Sequence, residues 1–583
     1  MAPRLATWID SLIGTVARLT LIAALVLAAL VALDPWLSTA TSLQLLLLNL
    51  LPAGIVFALA LAFVRRYLAS LVLTIAFLAV VFYVNQIKIE HLETPLLLSD
   101  LGLVRQFFTE IGLFVRYSHG AILVLAVAVL VAIVAILVRI ERQGIPWTAA
   151  LFSACLGIST LFMLRGNTLG DLYRSHGVMD TPWQIYHEVT ENGLLASLAA
   201  NAHDVVLARP KRDESGYKSL VRSLLPEAEG ADHNPVRPDI VMVLAESFFE
   251  PGVLREVDTC AILLLWCELK QIGIHGQMTV PTIGGNTTRT EFEVLVGVPY
   301  ASLPRPVYPY NAIVNRPTLS IIWWLRELGY TATGLHTYSA SFWRRNEAYP
   351  HLGFQDFITE EVIPDPERSG PFISDGVLKR EILKRLNDEP GQQFIFAISM
   401  EGHGPWGKTR KGLNAEQVAA IATPAFQSTE AIVELQQFGF HARNSVRALK
   451  ELHEAVLQRD KPTLIVFFGD HLPALPKLFR EAGFRDDKSP SQQQVPYLAL
   501  ANFPIDPDWK PESSDQLGLW ALELAGLPLP EHYRLMVETY KTEVDRDHQM
   551  KIARPVFAEL LHLAPGSWKP PGQSASASLI AQD

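Results

Sequence analysis

Five long apolar stretches in the first 165 residues constrain this chain more than any other feature of its sequence. A helix needs about 20 consecutive apolar residues to cross a bilayer. Uncharged runs of this length are rare among the buried helices of water-soluble proteins. The sequence therefore predicts a five-span transmembrane domain over residues 1–165, with spans at Ile13–Leu33, Leu43–Val64, Leu68–Ile87, Ala121–Ile140 and Trp147–Leu164.

Arginines near the ends of these stretches predict their orientation. Arg4 precedes the first span, Arg65 and Arg66 separate the second from the third, and Arg139 and Arg142 lie between the fourth and fifth. Basic residues concentrate in the cytoplasmic connections of membrane proteins. A cytoplasmic N-terminus puts all five arginines on that side. An odd number of spans then places the rest of the chain outside the cytoplasm.

The remaining sequence divides into four predicted regions. The segment Leu96–Tyr117 mixes apolar and charged residues, which predicts an amphipathic helix at the membrane surface. Residues 166–237 are mixed and charged and are predicted to be a linker region. Residues 238–545 are predicted to form a separate folded domain. Residues 546–583 form a C-terminal extension whose Pro/Ser/Ala-rich end is predicted to be disordered.

Charge and cysteine content bear on nucleic-acid binding and on disulfide bonds. The formal net charge is -10 and no large basic cluster occurs, so the sequence does not indicate nucleic-acid binding. The chain has three cysteines, of which Cys260 and Cys267 share one short stretch. On a continuous helix this spacing is too long for a disulfide. The sequence therefore predicts no disulfide.

Short apolar runs alternate with helical stretches after Pro238, which is typical of an α/β fold with a parallel sheet. A single histidine or aspartate after a strand is more often a turn residue or a helix cap. Here, ionisable residues follow four separate runs, and ligands of open α/β sheets bind at the carboxyl ends of the strands. These four predict a site: Glu246 after Ile240–Ala245, His336 after Tyr330–Leu335, Glu401 and His403 after Phe394–Ser399, and Asp470 and His471 after Leu464–Phe468.

The residue types indicate a metal site. Glu246, Asp470 and His471 offer two carboxylates and an imidazole, a set that suits Mn²⁺, Mg²⁺ or Zn²⁺. The loop "GGNTTRTEFE" presents Thr287 and Thr288 at the start of a predicted helix, where an anion such as phosphate is favoured. These threonines could be ordinary turn and cap residues. The other interpretation is that a bound metal activates the Thr287 hydroxyl as a nucleophile.

These motifs, taken in order, resemble the lipoteichoic acid synthase and phosphoglycerol transferase family. Its members are membrane proteins with an extracellular domain like those of sulfatases and alkaline phosphatases. "LAESF" and "FFGDH" resemble the family's two metal-ligand segments, and "GGNTTRTEFE" resembles its nucleophile loop. The resemblance implies that Thr287, rather than Thr288, is the nucleophile. It also implies one divalent ion, with Mn²⁺ favoured over Mg²⁺ or Zn²⁺, held by Glu246, Thr287, Asp470 and His471.

The resemblance extends to the substrate segment "HTYSASFWRRNEAYPHLGF". Trp343 and Arg345 match the positions that hold the phosphoglycerol headgroup, and an arginine fork suits phosphate. His336 and Tyr338 are also expected to bind substrate, although Tyr338 replaces an acidic residue of the family. His403 in "EGHGPW" matches the active-site histidine, which implies a general acid or base.

The resemblance implies metal-dependent transfer of phosphoglycerol from phosphatidylglycerol to an envelope glycan or polyglycerolphosphate, through a phospho-threonine intermediate. It implies a multi-pass protein of the bacterial inner membrane with a periplasmic catalytic domain. A true sulfatase is excluded because neither Cys260 nor Cys267 lies in a C-x-P-x-R-type context. A phosphoethanolamine transferase of the same fold stays open as an alternative, although those enzymes usually carry several disulfides. So does a membrane-anchored pseudoenzyme that binds lipid or glycan.

Overall fold

The computed structural model describes residues 2–37, 42–103, 120–142, 144–165, 168–179, 185–201, 211–225, 237–304, 306–406, 413–541 and 546–562. The chain separates into two compact units, residues 1–207 and 208–583. The first unit is helical and the second is α/β. Each unit has its own apolar core.

The described part of the first unit consists of helices. Three stretches are long and apolar enough to cross a membrane, at Ile13–Leu33, Leu43–Val64 and Tyr67–Leu92. The fourth and fifth predicted spans are helical, but their searched apolar parts are shorter, at Ala126–Ile140 and Trp147–Thr160. Of the five predicted spans, three therefore coincide with helices that are long and apolar enough to cross a membrane. The helices are α1 (Ala2–Leu33), α2 (Leu43–Val64), α3 (Tyr67–Leu92), α4 (Gly120–Ile140), α5 (Trp147–Arg165), α6 (Thr168–Ser175), α7 (Ile185–Asn192) and α8 (Leu194–Ala200).

Two of the arginine-bearing connections lie at the same end of this unit. The Arg65 guanidinium donates from Nη2 to the carbonyl of Ile145 over 2.7 Å and lies 4.0 Å above the ring of Trp147. Glu141 accepts a hydrogen bond of 2.9 Å from the backbone N–H of Tyr67. The connection between α2 and α3 therefore packs against the connection between α4 and α5, as the orientation argument requires.

The second unit is built on a seven-stranded sheet in the order β2-β9-β8-β1-β7-β3-β4. Strands β8, β1, β7, β3 and β4 are parallel, as the sequence predicts, whereas β9 runs antiparallel to both of its neighbours. A separate two-stranded ribbon pairs β5 with β6. The strands are β1 (Asp239–Ala245), β2 (Ile274–Met278), β3 (Thr331–His336), β4 (Asp356–Thr359), β5 (Arg368–Ser369), β6 (Phe372–Ile373), β7 (Gln393–Ile398), β8 (Thr463–Gly469) and β9 (Val495–Ala501).

Helices enclose this sheet in one apolar core. Strands β1, β7 and β8 are buried along their whole length, which explains why their sequences are continuously apolar instead of alternating. The helices are α9 (Glu214–Leu224), α10 (Thr259–Ile262), α11 (Leu264–Ile272), α12 (Thr288–Val296), α13 (Pro309–Ala312), α14 (Ile321–Glu327), α15 (Arg345–Leu352), α16 (Asp375–Asp388), α17 (Ala415–Ala419), α18 (Thr429–Leu457), α19 (Pro476–Ala482), α20 (Ser514–Leu524), α21 (Glu531–Lys541) and α22 (Arg546–His562).

The predicted absence of a disulfide is wrong. Cys260 and Cys267 are disulfide-bonded, with Cα atoms 5.8 Å apart. The prediction assumed one continuous helix, but the backbone leaves helical geometry at Leu263, between α10 and α11 (φ -120°, ψ 58°). This break brings the two cysteines within the distance that a disulfide spans.

Other predicted segments are described only in part. Of the predicted amphipathic helix Leu96–Tyr117, the segment Leu98–Leu103 is a 3-10 helix and residues 104–119 lie outside the described residues. The predicted linker region contains helices α6 to α9. In the C-terminal extension, α22 packs into the core through Val556, Phe557 and Leu560. The Pro/Ser/Ala-rich tail from residue 563 lies outside the described residues.

Candidate active site

The four strands that were predicted to deliver ionisable residues are neighbours in the sheet. His336 at the end of β3 is in register with Ile398 of β7, and Ile398 is in register with Leu244 of β1. Ala245 of β1 pairs with Gly469 of β8. Because these strands are parallel, the residues that follow them emerge at one edge of the sheet.

Glu246, Asp470 and His471 form a buried cluster at this edge. Each offers one ligand atom, and these atoms all lie within 4.8 Å of one another. His471 Nε2 lies 3.0 Å from Asp470 Oδ2 and 3.7 Å from Glu246 Oε1. Asp470 Oδ2 and His471 Nε2 are buried and have no hydrogen-bond partner in the described structure. Buried polar atoms normally have hydrogen-bond partners. The absence of one at both atoms is expected if they bind a metal ion instead.

The electrostatics of the cluster also favour a cation. Burial, and then the nearby Glu246 carboxylate, raise the pKa of Asp470 well above its usual range. Burial lowers the pKa of His471, so its imidazole is favoured in the neutral form that binds metals. A divalent cation would offset the repulsion between the two buried carboxylates. The donor set of two carboxylates and one imidazole therefore fits a divalent ion.

Thr287 lies against this cluster at the N-terminus of α12. Its hydroxyl donates to Glu246 Oε2 over 3.3 Å, and its side chain is buried. The preceding Asn286 has a left-handed backbone (φ 63°), which lets the loop turn sharply before the helix starts. Thr290 Oγ1 donates to the carbonyl of Asp470 over 2.8 Å. This bond ties the first turn of α12 to the end of β8.

Arg345 is fully buried next to this loop, and its guanidinium interacts with other residues of the protein. Its guanidinium forms an ion pair with Glu291 of α12. Glu291 also accepts hydrogen bonds from the hydroxyls of Tyr310 (2.9 Å) and Tyr349 (3.0 Å). The Nη1 atom of Arg345 lies 3.2 Å from the carbonyl of Phe342. The ion pair therefore fixes the substrate segment to the nucleophile loop.

Trp343 lies at a strained turn of the substrate segment. Trp343 and Arg344 both have left-handed backbones, with φ of 59° and 57°. Non-glycine residues in this region cost energy and cluster at functional sites. The indole stacks on the ring of Tyr308 at 5.5 Å with an interplanar angle of 28°. Tyr338, which replaces the family's acidic residue, packs edge-on against Phe342 at 5.2 Å.

The two histidines of the site have different surroundings. His336 is buried, and its Nε2 lies 3.3 Å from Nη1 of Arg345. Burial, and then the Arg345 charge, lower the pKa of His336 well below its usual range, so this ring is neutral. His403 is partly exposed, with its ring 6.3 Å from Phe342 and 5.5 Å from Phe372. Its greater exposure makes His403 the better placed of the two to exchange a proton.

A buried polar network that was not predicted from the sequence lies behind His403. Glu401 accepts hydrogen bonds from Nδ1 of His441 (3.1 Å), from Asn444 (2.6 Å) and from the backbone N–H of Asp375 (2.8 Å). Ser399 donates to Asp375 over 2.6 Å. The only sequence signal was the position of Glu401 just beyond β7. The network anchors the loop that carries His403 to helices α16 and α18.

The fold and the site together define a class of protein. Its chain has three helices that are long and apolar enough to cross a membrane, and an α/β domain that holds a buried carboxylate–histidine cluster. Residues 238–527 match the family model described as Sulfatase. The chain therefore carries a domain that matches the sulfatase family, in agreement with the resemblance of its motifs.

Two curated relatives have descriptions that name a bacterial glycan. A protein of Rhizobium meliloti (strain 1021) described as "Putative cyclic beta-1,2-glucan modification protein" is 27% identical over 435 residues. The match covers 72% of this chain and 66% of that protein. The capsular polysaccharide biosynthesis protein RkpI of the same organism is 26% identical, over 69% of this chain and 73% of its own length.

A solved structure shows the same fold. It is the phosphoglycerol transferase GacH of Streptococcus pyogenes in complex with sn-glycerol-1-phosphate. The TM-score is 0.50 at 20% identity, and the match covers 62% of this chain and 96% of that chain. At this level of identity, the similarity supports the architecture derived above.

Proposed function

We propose that this protein transfers phosphoglycerol from phosphatidylglycerol to an envelope glycan, through a covalent intermediate on Thr287. One observation carries the proposal: the Thr287 hydroxyl donates to Glu246 at the edge of the buried Glu246–Asp470–His471 cluster. A hydroxyl held beside such a cluster has the arrangement of an activated nucleophile. Helix α12 starts at the next residue, and its N-terminus favours a phosphate.

The metal would be held by Glu246, Thr287, Asp470 and His471, with Mn²⁺ as the first expectation and Mg²⁺ or Zn²⁺ as alternatives. When bound, a divalent ion lowers the pKa of a coordinated hydroxyl and offsets phosphate charge. The hydrogen bond to Glu246 Oε2 holds the Thr287 oxygen in place beforehand. The tie between Thr290 and the Asp470 carbonyl limits movement of this loop.

The proposed reaction has two halves. Thr287 Oγ1 attacks the phosphorus of phosphatidylglycerol, and the bond from phosphorus to the diacylglycerol oxygen breaks. Thr287 releases its proton to solvent water, and the departing oxygen takes a proton from His403. An acceptor hydroxyl then attacks the phospho-threonine, and the bond from phosphorus to Thr287 Oγ1 breaks. Thr287 regains a proton from solvent water, and the product is a glycerophosphorylated acceptor. His403 can remove the proton of this second nucleophile, so one residue serves as acid and then as base.

The headgroup is proposed to bind at the substrate segment. Trp343 offers a flat apolar wall that Tyr308 supports from behind by ring stacking. The nitrogens of Arg345 already have acceptors in Glu291 and Phe342, so we propose that Arg345 assists donor binding by fixing Trp343. His336 and Tyr338 belong to the same segment, and their rings contact each other. Tyr338 is proposed to adapt the site to a donor or acceptor that differs from that of the family.

A glycan acceptor is supported by the two curated relatives, whose descriptions name a cyclic glucan and a capsular polysaccharide. An extracytoplasmic site is supported by the Cys260–Cys267 disulfide, since disulfides persist in oxidising compartments such as the periplasm. The contact between Arg65 and Ile145 places their two connections at the same end of the helices, as the proposed orientation with both connections in the cytoplasm requires.

Donor choice in purified full-length protein tests this proposal. We expect release of diacylglycerol from phosphatidylglycerol and not from phosphatidylethanolamine, and we expect Thr287→Ala to remove it. The reverse preference would make the protein a phosphoethanolamine transferase, with Tyr338 as the first residue to examine. No release from either lipid, with metal and acceptor present, would favour a lipid- or glycan-binding pseudoenzyme.

A further inference from the structure

Arg289 is a buried arginine with no acidic partner. It lies two residues after Thr287 in the first turn of α12, and only 5% of its surface is exposed. Its Nε atom is buried and has no hydrogen-bond partner. Among the residues that the structure describes, its side chain makes no ion pair or hydrogen bond, and its contacts are with two tyrosine rings. A buried charge without a partner is costly, and a bound anion would remove that cost.

The carboxylates that could neutralise Arg289 have other partners. Glu293 is one helical turn further along α12, at the spacing that favours an ion pair. Its oxygens instead accept from the backbone N–H of Tyr300 (2.6 Å) and from the Ser514 hydroxyl. Glu291 is bound by Arg345 and two tyrosines. Neither acidic residue of this helix therefore compensates the Arg289 charge.

The surroundings of Arg289 connect it to the substrate segment. The guanidinium lies 4.8 Å above the centre of the Tyr300 ring and 5.8 Å from that of Tyr308. Tyr308 also stacks on Trp343 at 5.5 Å. The positive charge and the indole therefore share one aromatic neighbour. The rings hold the flat guanidinium in place by cation–π contact without neutralising it.

We propose that Arg289 forms an anion subsite, together with Tyr300, Tyr308 and Trp343, that binds a phosphate ester of the substrate. A guanidinium offers paired N–H donors that match phosphate oxygens, and such charge-assisted hydrogen bonds are stronger than neutral ones. This inference rests on the proposed function only for the identity of the ester. The phosphate belongs either to the lipid donor or to an acceptor that already carries phosphoglycerol.

A binding measurement on metal-free protein tests the Arg289 subsite without a contribution from the metal. Full-length protein in detergent, with its metal removed by chelation, is titrated with sn-glycerol-1-phosphate and with glycerol. We expect the phosphate ester to bind and glycerol not to bind. Arg289→Met keeps an apolar stem against the rings, and we expect it to weaken phosphate binding by about 10- to 100-fold, the value of a lost charged hydrogen bond.

A matched control is available in Arg326. Its guanidinium lies 4.8 Å above the Trp323 ring, the same distance as for Arg289 and Tyr300. However, Arg326 is at the end of α14, just before β3 begins, and so lies near the opposite edge of the sheet. Arg326→Met should bind the phosphate ester like the wild type.

Two results would contradict the proposed subsite. One is equal binding by the wild type and Arg289→Met, and the other is no binding of the phosphate ester by the chelated wild type. The Arg289→Lys variant distinguishes loss of the charge from a general loss of thermal stability. It keeps the positive charge and should therefore restore part of the binding that Arg289→Met loses.

The metal-loaded enzyme distinguishes the two sources of phosphate. If Arg289 binds the donor, Arg289→Met should slow the first release of diacylglycerol from phosphatidylglycerol. If it binds the acceptor, this release should stay intact while transfer to a phosphoglycerol-bearing glycan falls more than transfer to the neutral glycan. No change in either step would refute a role in catalysis. A wild-type protein that binds the phosphate ester but releases no diacylglycerol would instead refute the proposed function and leave the subsite standing.

Discussion

Glu291 and Arg345 form a fully buried ion pair although they are 54 residues apart in the chain. Glu291 belongs to the helix that starts at the proposed nucleophile, and Arg345 follows Trp343 in the substrate segment. Their contact therefore joins the part of the site that reacts to the part that is proposed to bind the headgroup.

Removing the negative charge from this pair should destabilise the second unit. Glu291→Gln leaves the Arg345 guanidinium buried without compensation, which typically costs about 3–5 kcal/mol. The exposed pair between Arg344 and Glu347 is a control, because exposed pairs contribute about 0–1 kcal/mol. Thermal unfolding of Glu291→Gln and Glu347→Gln should show a much larger loss for the first. Similar losses would mean that the buried pair does not fix the segment.

The nucleophile assignment predicts a difference between neighbouring threonines. Thr287→Ala should lower turnover by ~10³-fold or more, since loss of a nucleophile removes the covalent route. Thr288→Ala should be milder, because the Thr288 hydroxyl makes no hydrogen bond in the described structure. Mass spectrometry of the peptide after incubation with phosphatidylglycerol should place the added phosphoglycerol on Thr287. A modified Thr288, or an active Thr287→Ala variant, would reassign the nucleophile.

The buried cluster predicts a stoichiometric metal. Elemental analysis of the purified protein should give about one divalent ion per chain, and chelation should remove activity until metal is returned. Asp470→Asn should lower the metal content, because it replaces one of two carboxylates in the cluster. The exposed Asp486 provides the control, and Asp486→Asn should retain metal. Full activity after exhaustive chelation would contradict metal dependence.

The Asp375–Glu401 network predicts a pH dependence of stability. Burial, and then the Glu401 carboxylate, raise the pKa of Asp375 to about 7 from an ordinary value of 3.8. Between these values the folded state holds a proton that the unfolded state has lost, so stability falls as the pH rises from about 4 to about 7. Asp375→Asn cannot ionise. It should therefore lose less thermal stability than the wild type between pH 5 and pH 8, whereas an equal loss would place the titration elsewhere.

Topology and the disulfide can be tested together. A reporter that is active only outside the cytoplasm, fused at the C-terminus, should be active. Peptide mapping without reductant should recover Cys260 and Cys267 in one linked species. A reporter active only in the cytoplasm, with both thiols free, would contradict the orientation predicted from the arginines.

The sequence alone determined the features that depend on local patterns. The length of the apolar runs predicted the three described stretches that can cross a membrane, because the bilayer sets that length. Continuous apolar runs predicted β1, β7 and β8, because strands buried on both faces need no polar alternation. The position of Glu246, Asp470 and His471 directly after such strands predicted that they would meet, because parallel strands end at one edge.

Only the tertiary structure decided the partners of residues that are distant in the chain. A break at Leu263 brought Cys260 and Cys267 together, although the spacing on a regular helix excludes a disulfide. Packing of the substrate segment against α12 pairs Glu291 with Arg345. The same packing leaves Arg289 in contact with two tyrosine rings and, among the described residues, with no carboxylate. Both arginines lie in the motifs of the site, yet one is neutralised and the other is not. That difference depends on which carboxylate the fold brings within reach of each guanidinium, and sequence spacing does not encode it.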